Sequence, residues 1–168
     1  ERIAVRARTM VGFVPMFGAS TVPGDTFERY PDFHRRRQWF IDHRPDLVAS
    51  VEPMVVPGPT NTLILGLVRE KQLRRMLGYM LDENEFLSPY GVRAVSRYHR
   101  DHPLILNLDG QEYRLDYEPG ESGTNLFGGN SNWRGPIWMP VNFLILHALR
   151  QYYLYYGDTF KIECPTGS

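Results

Sequence analysis

Gly135-Pro136-Ile137-Trp138-Met139-Pro140-Val141-Asn142-Phe143-Leu144-Ile145-Leu146, continued by His147-Ala148-Leu149-Arg150-Gln151-Tyr152-Tyr153-Leu154-Tyr155-Tyr156, is the stretch whose reading decides the fold. Ile137, Val141, Leu144, Ile145, Ala148, Leu149 and Tyr152 recur at helical intervals, so this segment is predicted to be a helix. Phe143 to Leu146 and Tyr152 to Tyr156 make it apolar on nearly every side, the pattern of a helix enclosed between two layers. On that reading it belongs to an inner ring, His147 is a hydrogen-bonded core residue, and the tyrosine pairs serve mainly as packing.

Working outward, Leu73, Met76, Leu77, Met80 and Leu81 define a second helical face. Tyr30-Pro31-Asp32 reads as a helix start, because a first-turn proline has no N–H to leave unpaired, and that helix ends by Pro45 with Phe33, Arg37, Phe40 and Ile41 on one face. Ile3, Ala7, Met10, Val14 and Phe17 predict an opening amphipathic helix that stops near Gly18. Glu52 to Asn61 is dense in proline and glycine and reads as a loop. Glu85 to Arg100 reads as a long ordered loop with one short helical turn. Leu104-Ile105-Leu106-Asn107-Leu108, Asp109-Gly110 and Glu112 to Tyr117 form a β-hairpin pattern, since Asp-Gly accepts the positive φ of a tight turn. The expected fold class is therefore mainly α, one segment spanning residues 1–168, with the hairpin as an insertion.

Charge and composition exclude several functions. Formal net charge is zero and lysine occurs only at Lys71 and Lys161, so no global field attracts nucleic acid. His34-Arg35-Arg36-Arg37, interleaved with Phe33, Trp39 and Phe40, is read as a solvated helix face rather than an RNA contact. A single cysteine, Cys164, allows neither an internal disulfide nor a cysteine-based zinc site, and a reducing cytoplasmic setting suits it. No apolar run reaches the roughly 20 residues of a membrane span. No cofactor is expected: Gly128-Gly129 lacks the lysine and hydroxyl residue of a phosphate loop. The abrupt ends at Glu1 and Ser168 suggest a piece of a longer polypeptide, truncated at both ends.

Chemistry concentrates in Gly128-Gly129-Asn130-Ser131-Asn132-Trp133-Arg134-Gly135-Pro136-Ile137-Trp138, a polar loop that carries two tryptophans and an arginine to a helix start. A sugar needs an apolar platform for the C–H face of its ring and planar donors and acceptors for its hydroxyls; Trp supplies the first, Arg and Asn the second. The competing reading makes Trp133 and Trp138 rim packing and the glycines turn formers. Among carboxylates Glu121, in a glycine-rich turn, is the best placed to reach a ligand, but a solvated loop carboxylate is the commoner case and no catalytic role is assigned to it.

Asn130-Ser131-Asn132-Trp133-Arg134-Gly135-Pro136-Ile137-Trp138-Met139-Pro140-Val141-Asn142, together with Arg8-Thr9-Met10-Val11-Gly12 and Ser88-Pro89-Tyr90-Gly91-Val92-Arg93-Ala94-Val95-Ser96, resembles the bacterial branch of glycoside hydrolase family 63, which includes mannosylglycerate hydrolases and processing α-glucosidases. The resemblance implies part of an (α/α)6 barrel and hydrolysis of an α-glucoside or α-mannoside with inversion by an Asp acid and a Glu base, without metal. It also implies that both catalytic carboxylates lie outside this chain, which alone should be inactive. Trp133, Arg134, Trp138, Gly91 and Arg93, with Asn130 and Asn132, are the sugar-binding residues it carries over. The implied partners are a small carbohydrate, with no nucleic acid or membrane, and either the remaining segments of the parent barrel or a second copy met through exposed apolar faces. The alternative is a helical domain that binds carbohydrate, or only packs, without catalysis.

Overall fold

The computed structural model describes residues 5–53, 55–120 and 136–164. Met10–Gly18 opens it as a 3-10 helix. There follow β1 (Ser20–Pro23), α1 (Thr26–Arg29), α2 (Pro31–His43), α3 (Pro45–Val48), β2 (Glu52–Pro53), β3 (Thr62–Gly66) and α4 (Glu70–Met80). Next come β4 (Leu87–Ser88), β5 (Gly91–Val92), a 3-10 turn at Arg97–Arg100, β6 (Leu104–Leu108), β7 (Gln111–Leu115) and α5 (Met139–Tyr156). The chain divides into two compact units: 1–13, 76–143 and 163–168 in the first, 14–75 and 144–162 in the second.

Helix still outweighs strand among the described residues, but this architecture corrects the assignment to an (α/α)6 barrel carrying one inserted hairpin. Among the described residues strands form three separate antiparallel sheets, β1-β3-β2, β4-β5 and β6-β7, and only the last is the expected hairpin. The physical reason is local. Ser20–Pro23 and Thr62–Gly66 are short, β-branched and bounded by glycine, and they pair from Ser20 opposite Leu65 to Pro23 opposite Thr62. Runs of four or five residues have no period that separates strand from helix, so neither segment carries a strand signal of its own.

In the second unit the central strand β3 buries Leu63 and Ile64 at 2% exposure each, beside Val68, Leu73, Ile145, Ala148 and Tyr152. The end of α5 is closed by the loop before β3. The Leu154 carbonyl accepts from the hydroxyls of Thr62, at 2.7 Å, and of Thr60, while the Tyr155 hydroxyl donates to the Val56 carbonyl at 3.1 Å. Gly157 then ends α5 at φ +59°, the left-handed position that favours glycine. α2 starts at Pro31 as expected and ends at His43, but none of its residues is buried. Arg37 lies over the Phe27 ring at 4.5 Å, and Trp39 stacks on His43 at 4.6 Å.

In the first unit Met10, Phe13, Leu77, Met80, Phe86, Val92, Ala94, Leu115 and Val141 are buried. Met10, Phe13, Met16 and Ala19 are buried at every third residue, which is the spacing of a 3-10 helix and explains why a 3.6-residue reading chose Val14 and Phe17. The β6–β7 turn matches its sequence: Asp109 has φ +50° and Gly110 φ +79°, the two positive values of the favoured hairpin turn.

α5 also departs from expectation. Val141, Ile145, Ala148 and Tyr152 are buried, whereas Met139, Phe143, Leu144, Leu146 and Tyr153 are exposed, and His147 is exposed, with Gln151 Nε2 3.5 Å from its Nε2. The helix is thus enclosed on one face rather than all round. Among the described residues no helix is long and apolar enough to cross a membrane, and no cluster of His, Cys, Asp or Glu could hold a metal.

Tyr152 is 3% exposed, and its hydroxyl has no hydrogen-bond partner among the described residues. Burial, reinforced by the Glu52 charge, pushes this phenol up to about 12. The folded state therefore holds the proton more tightly than the unfolded chain, whose phenols titrate near 10. Stability from this group is full below about pH 10 and is lost as pH rises toward 12. Tyr152→Phe should leave stability at pH 7 unchanged or raise it by up to about 1 kcal/mol, since a buried unpaired hydroxyl is removed. The variant should also flatten the fall in thermal midpoint between pH 10 and about 12, measured by circular dichroism.

Candidate functional site

The β4–β5 hairpin and the start of α5 meet through one side chain. Val92 N–H donates to Asn142 Oδ1 at 2.7 Å, and Asn142 Nδ2 donates back to the Val92 carbonyl at 3.0 Å. The same amide reaches the Trp138 carbonyl at 3.1 Å. Asn142 uses an acceptor and two donors on backbone, which is what a carboxamide, and no apolar residue, can supply. Ala94 N–H adds a bond to the Pro136 carbonyl at 2.8 Å.

Gly91 is required by two constraints. Its φ is +129°, and a Cβ there would lie 2.8 Å from Asn142 Oδ1 and 3.3 Å from Ile137 Cγ2. The backbone of residues 91–94 thus lies directly against residues 136–142, with no room for a side chain at 91. Ser88 completes the turn: its hydroxyl donates to the Gly91 carbonyl at 2.7 Å and accepts from Tyr90 N–H at 3.2 Å.

Beneath the hairpin lies a polar network. Glu85 is 9% exposed, forms an ion pair with Arg8, and accepts from the Ser96 hydroxyl. Arg8 lies over the Tyr98 ring at 3.7 Å. Its own N–H donates to His99 Nε2 at 2.8 Å, and His99 Nδ1 sits 2.9 Å from the His102 carbonyl. The ring must therefore carry its proton on Nδ1, and both nitrogens are committed to backbone. A buried carboxylate held by an arginine and a hydroxyl ties these segments together as a structural hub.

The predicted site residues separate into three groups. Gly91 and Trp138 are brought together by Asn142. Arg93 is 8% exposed, and its Nη1 donates to the carbonyls of Glu83 at 3.0 Å, Glu85 at 3.3 Å and Leu87, with Tyr117 under the guanidinium at 5.6 Å. It therefore braces the 83–87 turn. Trp133, Arg134, Asn130, Asn132 and the candidate acid Glu121 lie outside the described residues. Sequence reasoning passed over Asn142, Glu85, Ser96 and His99. Asn142 alone had a usable signal, as the one carboxamide on an otherwise apolar helical face.

Comparison with known proteins places the chain. A mannosylglycerate hydrolase MGH1-like glycoside hydrolase domain matches residues 33–163, and the chain belongs to that family. It is 44% identical over its full length to the uncharacterized protein YMR196W of Saccharomyces cerevisiae. It is 33% identical to a probable mannosyl-oligosaccharide glucosidase of Schizosaccharomyces pombe and 32% identical to a mannosyl-oligosaccharide glucosidase of S. cerevisiae, each over 49% of this chain. The chain spans 16% of the first relative's length and 7% of each glucosidase. No solved structure matches. The likeness to family 63 enzymes stands at that level, and nothing in these relatives, all from yeasts, points to its bacterial branch.

Two substitutions test the junction. Asn142→Ala strands the Val92 N–H and C=O and should cost about 2–4 kcal/mol in chemical denaturation, the scale of two buried groups left unsatisfied. Gly91→Ala should destabilise by more than the ordinary glycine-to-alanine difference, because the positive φ and the close Asn142 oxygen act together.

Proposed function

We propose that this chain supplies part of the sugar-binding wall of a glycoside hydrolase that cleaves an α-glucoside or α-mannoside with inversion. The observation that carries the reading is the Asn142 junction: it fixes the Trp138 backbone against Gly91 at the helix start, within the stretch matched by the glycoside hydrolase domain. A tryptophan with a fixed backbone offers a flat apolar face for a pyranose ring, at little further entropic cost on binding. Trp133 and Arg134, with Asn130 and Asn132, would complete that wall as platform, charged donor and neutral donors. Gly91 serves by close approach of its backbone. Arg93 serves by bracing the turn that carries the hairpin.

The acid and base of an inverting reaction must stand far enough apart to admit a water molecule, with the acid protonated and the base ionised. The buried carboxylate among the described residues, Glu85, is engaged by Arg8 and Ser96. Following the family resemblance, we assign both catalytic carboxylates to other parts of the full-length enzyme, so that the chain binds without cleaving. Its substrate partner is a small carbohydrate, and its macromolecular partner is the rest of that enzyme.

A tryptophan-fluorescence titration of the chain with methyl α-glucoside and methyl α-mannoside, alongside an assay for released sugar, tests this. A saturable change that is lost in Trp138→Phe, without release of sugar, is the expected result. Sugar release that disappears in Glu121→Gln would place the chemistry within the chain and overturn the division of labour. A folded chain with no fluorescence response to either sugar would overturn the binding-wall reading itself.

A further inference from the structure

Tyr90 is 82% exposed, the most exposed large apolar or aromatic side chain among the described residues. It stands on one of the most tightly determined turns of the first unit. Leu87 pairs with Val92 and Ser88 with Gly91 across the hairpin, Tyr90 N–H is held by Ser88 Oγ, and the next two residues are clamped by Asn142. Ser88, Pro89 and Gly91 fill the first, second and fourth turn positions with residues that a turn favours there. The third position suits Asp, Asn or Ser on turn chemistry, and a tyrosine adds nothing to the turn. Its ring also packs into no core. The side chain is presented outward from a fixed backbone.

A fixed, outward-facing phenol has a definite binding chemistry. The ring face accepts the C–H face of a pyranose, the hydroxyl can bond to a sugar hydroxyl, and only two side-chain torsions remain to be frozen. The hairpin that bears Tyr90 adjoins the Pro136–Trp138 segment through its backbone, by the Ala94 bond to the Pro136 carbonyl and the close approach of Gly91 to Ile137. We propose that Tyr90 is a second stacking platform of the carbohydrate site, contacting a hexopyranose unit other than the one that lies on Trp138. The proposal rests on the binding-wall reading above and extends it from one ring contact to two, so that a disaccharide or longer α-glycoside is bound more tightly than a methyl glycoside.

Ligand-observed NMR titrations of the chain with methyl α-glucoside and maltose, repeated with methyl α-mannoside and α-mannobiose, test it in wild type, Tyr90→Ala and Tyr90→Phe. Because Tyr90 is exposed, Tyr90→Ala should keep the wild-type thermal midpoint, which checks folding independently. The expected result is a disaccharide affinity about tenfold lower in Tyr90→Ala, the scale of one aromatic stacking contact, with Tyr90→Phe within about threefold of wild type. The methyl glycoside should bind all three alike. A wild-type chain that binds the disaccharide with the same affinity as Tyr90→Ala overturns the role of Tyr90 and leaves the wall on Trp138 intact. A folded wild-type chain that binds none of these sugars overturns the wall and Tyr90 together.

Discussion

Asn142 makes three hydrogen bonds from one short side chain, two of them to Val92, fifty positions away, and the third to Trp138 in its own first turn. Closing a loop of that length costs chain entropy that grows only slowly with its size, but the cost must be met by contacts at the point of closure. Here they are polar and buried, so they are strong when complete and costly when incomplete. The hairpin conformation, the absence of a side chain at Gly91 and the placing of the Trp138 backbone all follow from this one carboxamide.

Support comes from below in the same idiom. Arg93 gathers the carbonyls of residues 83, 85 and 87, and Glu85 ties Arg8 to Ser96. All three contacts converge on one nitrogen, Nη1, while the planar guanidinium rests over the Tyr117 ring. Much of the charge in this region is thus spent on holding backbone, which leaves the aromatic side chains as the groups available to a ligand.

How much of this could be read from the residues differs by element. Helices α2, α4 and α5 were legible from their periodicity and their prolines, and the β6–β7 hairpin from Asp109-Gly110, because each signal is local. The β1-β3-β2 sheet was not, since the pairing of Ser20–Pro23 with Thr62–Gly66 is a long-range choice made by two runs too short to show a period. The first helix was mistaken in kind because burial at Met10, Phe13 and Met16 follows a three-residue repeat, close enough to 3.6 to mislead over so short a span. The environment of α5 was misjudged because an apolar composition does not say which faces find a partner. In the site, Gly91 and Trp138 were found through family likeness, whereas the function of Asn142 depends on a partner far away in the chain. Arg93 was visible as a charge, but nothing in the sequence shows that its donors turn inward.

The β6–β7 ribbon has a consequence of a different sort. It is a two-stranded sheet whose ten paired residues include one buried side chain, Leu115. Such a ribbon gains little from apolar burial, neither strand pairs with a third among the described residues, and isolated pairs of strands are marginal at best. Its amides should exchange with solvent through local opening at a free energy well below that of the clamped hairpin at Gly91. The first unit therefore has a graded resistance to opening, softest at the Asp109-Gly110 tip and firmest where residues 91–94 meet the start of α5.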